Sequence, residues 1–139
     1  MRPIWIKIKG LNSFLEPQEI DFQELTGEGL FGIFGPTGSG KSSILDGITL
    51  ALYGTTARNS GNFIHVSTDR AFVDYIFSVK AKETHTYRVT RGFKRSKEGG
   101  IRSDGARFLE IQGEQEEVLA DKVGAVNEKC QEVIGLSKE

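Results

Sequence analysis

The sequence predicts an α/β fold in which a glycine-rich loop joins a buried strand to a helix, beside an antiparallel β subdomain. Three observations predict this arrangement. The apolar run GLFGIF is followed directly by the glycine-rich turn GPTGSGKS, and that turn precedes a segment with helical apolar spacing. Later stretches alternate apolar and polar residues, with the period of two that is typical of strands. The length of 139 residues favours one domain.

Three strands are predicted before or at the turn. Ile4, Ile6 and Ile8 alternate with polar or amphipathic residues, which predicts a strand with one buried face. A short strand is predicted at Glu19–Phe22. The run Gly29–Phe34 is apolar at nearly every position, as expected for a central strand that is covered on both faces.

The turn matches the pattern GxxxxGK[ST] in the strand-to-helix context that the pattern requires. Gly35, Gly38 and Gly40 allow the backbone to curl closely around a phosphate, because no Cβ stands in the way. The N-terminus of the following helix adds its positive end. The segment therefore predicts a nucleoside triphosphate site of the P-loop NTPase class. The alternative is a glycine-rich turn that binds nothing.

Two side chains of the motif carry its chemistry. Lys41 is expected to reach the β- and γ-phosphates as a compact positive charge, which makes it the candidate catalytic residue. The hydroxyl of Ser42 is expected to bind Mg²⁺, a cation that prefers oxygen ligands. Ser43 could donate to the α-phosphate. The predicted phosphate-binding set is completed by the intervening residues Pro36, Thr37 and Ser39.

The rest of the chain is predicted as one helix, a loop, a hairpin and a final strand and helix. Apolar spacing predicts a helix through Ile44 and Leu52, with Gly54 as its C-terminal stop. A polar loop is predicted over Thr55–Asp69. The later elements are predicted as strands Ala71–Ala81 and His85–Arg95, a loop Ser96–Gly105, a strand Arg107–Gln112 and a helix Leu119–Ile134 with the stripe Val123, Val126, Cys130 and Ile134.

Charge is distributed unevenly although the net charge is only -1. Between Arg70 and Arg107 there are 10 Lys or Arg against 4 Asp or Glu, and after Arg107 there are 3 against 8. The basic stretch could contact a nucleic-acid backbone, or it could be a solvated hairpin face. Lys94, Arg95 and Lys97 are the candidate DNA contacts within it.

Cysteine usage and hydropathy predict the compartment. Cys130 is the single cysteine, so an internal disulfide and a cysteine-rich metal site are excluded for this sequence. No apolar run approaches the length of a membrane span, and the first residues alternate instead of forming an apolar signal block. A cytoplasmic location without membrane association is expected.

Residues that would complete a hydrolytic mechanism are not evident. Asp74 follows three apolar residues, as a magnesium-binding acid would, but it is predicted to lie inside a strand, as a face residue of the hairpin. A GTPase is disfavoured because DKVG at Asp121–Gly124 has no NKxD partner motif. A small kinase would need lid arginines, and the available ones, Arg58, Arg70, Arg88 and Arg91, lie on or beside a predicted hairpin.

Five segments resemble one family. They are IKGLNSF at Ile8–Phe14, IDF at Ile20–Phe22, GLFGIFGPTGSGKSSILDGITLALYG at Gly29–Gly54, YRVTR at Tyr87–Arg91 and LADKV at Leu119–Val123. Together they resemble the N-terminal part of the ATPase head of SbcC-type DNA-repair exonuclease subunits, which are ABC-type, SMC-like coiled-coil ATPases. The resemblance implies that residues 1–139 form the N-terminal lobe of such a head, with the coiled coil and the C-terminal lobe absent.

The resemblance also implies a function. Asn12 and Ser13 would lie near the nucleotide, and the P-loop would hold ATP and Mg²⁺ between two heads of a homodimer. ATP-driven dimerisation would gate an SbcD-type nuclease subunit that cuts double-stranded DNA. Zinc would be expected only in a hook within the absent coiled coil. The alternatives are the head of another SMC-like, chromosome-organising ATPase, which would carry a hinge domain in place of the hook, and a stand-alone P-loop kinase.

Overall fold

The computed structural model describes residues 2–10, 18–22, 47–54, 64, 68–80, 82–97 and 100–137. Within this part of the chain, six strands form one antiparallel sheet in the order β2-β1-β3-β4-β5-β6. The strands are β1 (Arg2–Lys9), β2 (Gln18–Asp21), β3 (Arg70–Lys80), β4 (Thr84–Arg95), β5 (Ile101–Gln112) and β6 (Gln115–Ala120). Residues 47–53 are helical and are called α1, and the second helix, α2, is Val123–Ser137.

Alternation along the central strands produces one buried face. Val73, Tyr75 and Phe77 of β3 are buried, as are Tyr87 and Val89 of β4. These side chains share one core with Leu50 and Ala51 of α1 and with Val126, Cys130 and Val133 of α2. Both helices therefore contribute to the core that covers this face of the sheet. The predicted antiparallel sheet with packed helices is confirmed for the described elements.

The first helix approaches the sheet closely because of a glycine. A Cβ on Gly47 would lie 2.6 Å from Cδ1 of Ile8 and 3.3 Å from Cδ1 of Ile6. Both isoleucines are fully buried in β1, so a larger residue at position 47 would require the Ile8 side chain or the helix to shift. The close packing of α1 on β1 therefore uses the absence of a side chain at this position.

The predicted loop Ser96–Gly105 is wrong over its second half. Strand β5 already begins at Ile101, which pairs with Arg95, and Ser103 pairs with Phe93. The glycine and charge content that suggested a loop instead marks a bulge, because the register shifts between Arg91 and Phe93. Gly105 has a φ of 105°, which a residue with a Cβ rarely adopts.

The predicted start of the last helix is also wrong. Residues Gln115–Ala120 form strand β6, and the helix begins only at Val123. Gly113, with a φ of 66°, turns the chain so that Gln112 pairs with Gln115 across a short hairpin. Leu119 therefore belongs to the strand. Val123 is exposed, and Val126, Cys130 and Val133 form the buried stripe of α2.

Candidate functional site

The predicted nucleotide site falls outside the described residues. This applies to Asn12 and Ser13, to the motif itself and to Ser43; the motif residues are Gly35, Pro36, Thr37, Gly38, Ser39, Gly40, Lys41 and Ser42. Arg58, one of the candidate lid arginines, and the strand predicted at Gly29–Phe34 also fall outside them. The structure instead describes the helical residues that follow the motif in the sequence and the groups that surround them.

The C-terminal end of α1 carries a glycine cap. The amide of Gly54 donates to the carbonyl of Leu50 at 2.9 Å, and Gly54 has a φ of 77°. This geometry ends a helix with a residue in the left-handed region. The predicted stop at Gly54 is confirmed, and the bond satisfies one of the carbonyls that a helix end leaves free.

Arg91 binds a second carbonyl at this helix end. Its Nε donates to the Ala51 carbonyl at 2.7 Å, and its Nη2 donates to Oδ1 of Asn127 at 2.7 Å. Arg91 lies on β4 and is only 1% exposed, whereas Asn127 lies on α2. One buried guanidinium therefore joins the sheet to both helices. From the sequence, Arg91 is a candidate only for a kinase lid, and its burial excludes that role.

Electrostatics at this point combine a buried cation, a helix end and a thiol. The carboxyl end of a helix carries partial negative charge, which favours a cation beside it. Burial lowers the pKa of Arg91, while the neighbouring Cys130 raises it. The guanidinium nevertheless stays protonated, because arginine is not deprotonated in proteins. The Cys130 sulfur lies 4.0 Å from the same Ala51 carbonyl. Burial raises the pKa of Cys130 to about 11, so this thiol is neutral at pH 7.

Asp74 is a face residue of the sheet, as predicted. It lies in the interior of β3, is 3% exposed, and accepts hydrogen bonds from both Nε and Nη2 of Arg88 on β4. The Nε bond is 2.8 Å long. Arg88 also donates to Glu116 of β6 at 2.9 Å. These contacts hold Arg88 on the sheet, which excludes it from a nucleotide lid, and they raise its pKa.

The three candidate DNA contacts lie together at one end of the β4–β5 hairpin. Lys94, Arg95 and Lys97 line an open cleft of about 550 Å³ that also contains Arg102. Arg102 is not among the sequence-based candidates, although it lies in the same predicted loop, Ser96–Gly105, as the candidate Lys97. In the structure it pairs across the strands with Lys94, so its position follows from the β4–β5 register.

Arg95 differs from the other cations of this cleft. Its Nη2 donates to the carbonyl of Ile64 at 3.2 Å and to that of Thr68 at 3.5 Å, and its Nε lies 3.9 Å from Asp69. These bonds tie β4 to the segment before β3. Lys97 is exposed and Lys94 is half-buried. Arg95 consequently has a structural role, whereas Lys97 presents its charge to solvent.

Two absences hold for the described residues alone. Their helices include none that is long and apolar enough to cross a membrane. Their histidine, cysteine, aspartate and glutamate side chains nowhere gather in a group of three or more that could hold a metal ion.

The chain is similar to a bacterial nuclease component and to a DNA-repair ATPase. It is 53% identical over 138 residues to the SbcC component of nuclease SbcCD from Clostridium acetobutylicum and 47% identical over 140 residues to the corresponding protein of Bacillus subtilis. Each alignment covers 99% of this chain and 12% of the relative. A probable DNA double-strand break repair Rad50 ATPase of Aquifex aeolicus is 31% identical over 134 residues, which is 93% of this chain and 13% of that protein.

The chain thus spans only 12% of the length of the two SbcC relatives. A family profile described as "AAA domain" matches residues 6–137. That range includes every described strand except the first residues of β1, both helices and the GxxxxGK[ST] motif. The resemblance to the SbcC type is confirmed by the named relatives, and the chain belongs to the AAA domain family.

Proposed function

We propose that the chain is the ATP-binding part of the ATPase subunit of a nuclease complex that acts on double-stranded DNA in repair and recombination. Residues 1–139 would form the N-terminal lobe of an ABC-type ATPase head. One observation carries the proposal: the GxxxxGK[ST] motif lies in a chain that is 53% identical, over 99% of its length, to a protein named as a nuclease subunit.

The residue types of the motif fit a magnesium–nucleoside triphosphate. Glycines at positions 35, 38 and 40 leave room for backbone amides to surround a phosphate. Lys41 would bind the β- and γ-phosphates, and the Ser42 hydroxyl is the oxygen donor that Mg²⁺ prefers. Bound Mg²⁺ would neutralise charge on the phosphate oxygens. Asn12, Ser13 and Ser43 would complete the pocket.

ATP would act by holding two heads together. Each P-loop would face the other head of a homodimer, and hydrolysis would release the pair and gate an SbcD-type nuclease subunit. Asp74, the acid that the sequence offers near a strand, is bound to Arg88 and is therefore not available to activate water. We therefore propose that residues 1–139 alone bind Mg-ATP without turnover. The single, buried cysteine suits a cytoplasmic protein.

The open cleft at the end of the β4–β5 hairpin would contact DNA. Lys94, Arg95, Lys97 and Arg102 bring four cations to one end of the hairpin, and phosphate contacts need only such groups. Asp74 of β3 is bound to Arg88, and Asp104 of β5 is bound to Arg70, so neither carboxylate pairs with the cations of the cleft. A sequence-independent contact with the DNA backbone is the form of binding that this cleft fits.

The first experiment measures Mg-ATP binding and steady-state hydrolysis, both for residues 1–139 and for the full-length protein that contains them. The Lys41→Ala variant is the negative control for both measurements. We expect Lys41-dependent binding in both, with turnover above this control only in the full-length protein. Lys41-dependent turnover by residues 1–139 alone would contradict the assignment of the water-activating group to another part of the protein. Lack of binding in both would overturn the nucleotide site.

A further inference from the structure

The strongest unassigned feature is the link that Arg91 makes between α1 and α2. Arg91 donates to the Ala51 carbonyl of α1 and to Asn127 of α2, with both donor–acceptor distances at 2.7 Å. The two acceptors lie 40 and 36 residues away along the chain. A single side chain of the sheet therefore forms a specific polar connection between the two described helices.

Packing alone does not explain why a charged arginine occupies this buried position. Arg91 is 1% exposed, and no carboxylate of the described residues lies within ion-pair distance of its guanidinium. Burying a cation costs free energy that an apolar side chain of similar volume would not cost. The carbonyl end of α1 and the Asn127 amide compensate for part of that cost, and they do so only while both helices keep their positions.

The helix that Arg91 holds follows the nucleotide motif in the sequence. The described part of α1 begins at Gly47, five residues after Ser42 of the motif. A helix is a stiff element, so a displacement at one end is carried to the other. The absence of a side chain at Gly47 lets α1 pack closely on Ile8 of β1.

We propose that Arg91 is a positioning residue that couples nucleotide binding at the P-loop to the position of α2. This inference rests on the proposed function, because it requires ATP to bind at the motif before α1. If nucleotide binding shifts α1, the Ala51–Arg91–Asn127 link transmits that shift to α2. Asn127 is the half of the link that a substitution can remove, since the acceptor on α1 is the backbone carbonyl of Ala51.

The test uses the full-length protein and measures hydrogen exchange of the α2 amides with and without Mg-ATP. Asn127→Leu keeps the size of the side chain and removes the acceptor, whereas Asn127→Asp keeps an acceptor for Arg91. Gln131→Leu, at an exposed position of the same helix, is the matched control. Isothermal titration calorimetry measures Mg-ATP binding by each variant, and urea unfolding verifies that each one is folded.

We expect Mg-ATP to slow exchange in α2 about fivefold, at the lower end of typical coupling between sites. In Asn127→Leu, Mg-ATP should slow exchange in α2 by less than about twofold. The full slowing should persist in Asn127→Asp and in Gln131→Leu. Binding without any change in α2, or an undiminished change in Asn127→Leu, would overturn this inference and leave the proposed function standing. Failure of the wild-type protein to bind Mg-ATP would overturn both.

Discussion

The ionisation of Arg91 and of Cys130 is determined by the groups that surround each side chain. Both approach the same carbonyl of Ala51, one as a charged donor and the other as a neutral thiol. Their effects on each other oppose burial, since the cation favours the thiolate and the thiolate would favour the cation. Burial is the larger effect for both, so the thiol remains protonated well above neutral pH.

The raised pKa of Cys130 predicts a loss of stability in alkaline solution. Burial raises the pKa from 9.0 to about 11, because the folded protein disfavours the thiolate. Above pH 9 the unfolded chain releases this proton and the folded chain retains it, so the free energy of unfolding falls as pH rises from 9 through 11. We expect this group to contribute a loss of roughly 2 kcal/mol by about pH 11.

Urea unfolding of the wild-type protein and of Cys130→Ala, from about pH 7.5 to about pH 11, measures this contribution. Other groups titrate in the same range, so the informative quantity is the difference between the two proteins at each pH. That difference should shrink as pH rises. A difference independent of pH would contradict the assignment of the raised pKa to this thiol.

At the scale of elements, the sheet holds several of its arginines by cross-strand contacts. Arg88 of β4 binds Asp74 of β3 and Glu116 of β6, and thereby crosses β5 as well. Arg70 of β3 contacts Asp104 of β5 at 3.5 Å. These contacts neutralise part of the basic stretch, and the cations that line the open cleft lie toward the end of the β4–β5 hairpin.

We expect that breaking the Asp74–Arg88 pair lowers the free energy of unfolding and leaves the affinity for Mg-ATP unchanged. Asp74→Asn removes the carboxylate and leaves Arg88 with Glu116 and solvent, so we expect a loss of about 2 kcal/mol in the free energy of unfolding. Mg-ATP affinity should stay within about twofold of wild type, since Asp74 alternates with the core residues Val73 and Tyr75 and so lies on the face of the sheet opposite α1. Asp104→Asn, at a more exposed and longer contact, is the control and should cost less than about 0.5 kcal/mol.

Urea unfolding and calorimetric titration of the same samples measure the two quantities. A strong loss of Mg-ATP affinity in a folded Asp74→Asn protein would show that this carboxylate takes part in metal binding.

The cleft at the end of the hairpin predicts salt-dependent DNA binding. Lys94→Glu, Lys97→Glu and Arg102→Glu together should reduce the slope of log affinity against log salt by about 3 in the full-length protein, if each residue contacts one phosphate. Arg95 is left unchanged because it also binds the backbone at Ile64 and Thr68. The control reverses exposed Lys80 and Lys82 at the other end of the β3–β4 hairpin.

Fluorescence anisotropy with duplex DNA at several salt concentrations measures this slope. We expect the control to keep it. An unchanged slope in the triple variant would remove the cleft from the DNA-binding surface.

At the scale of the whole molecule, the described sheet has two central strands and two edges that differ in character. Strands β3 and β4 are long, pair on both sides and supply most of the aromatic core, in which Tyr75, Phe77, Tyr87 and Phe108 contact one another. Strand β6 lies at one end of the sheet order, and most of its residues are exposed. Its glutamates oppose pairing with a second edge.

This architecture predicts a gradient of hydrogen exchange. Amides of β3 and β4 should exchange at least about tenfold more slowly than those of β2 and β6, because opening the central strands breaks two ladders and exposes the core. Exchange followed by mass spectrometry on the folded protein gives the order of protection. Equal protection of β6 and β4 would contradict the strand order or show that another surface covers β6.

Several features follow from the sequence alone because their causes are local. The alternation in β1, β3 and β4 identifies these strands, since each residue needs only its neighbours to define a buried face. Gly54 predicts its helix end because a left-handed residue is needed there. The GxxxxGK[ST] motif also predicts phosphate binding from local sequence, since its glycines, lysine and hydroxyl lie close together in the chain, and this stays a prediction because the motif lies outside the described residues.

Other features depend on tertiary structure because their partners are distant in the chain. The glycines near positions 100–105 suggest a loop until pairing with β4 is known, since a bulge and a loop have the same composition. Asp74 and Arg88 meet only through the β3–β4 register. Arg91 is one basic residue among ten in its stretch, and only the convergence of β4, α1 and α2 buries it, because the carbonyl and amide that compensate its charge come from segments 40 and 36 residues away.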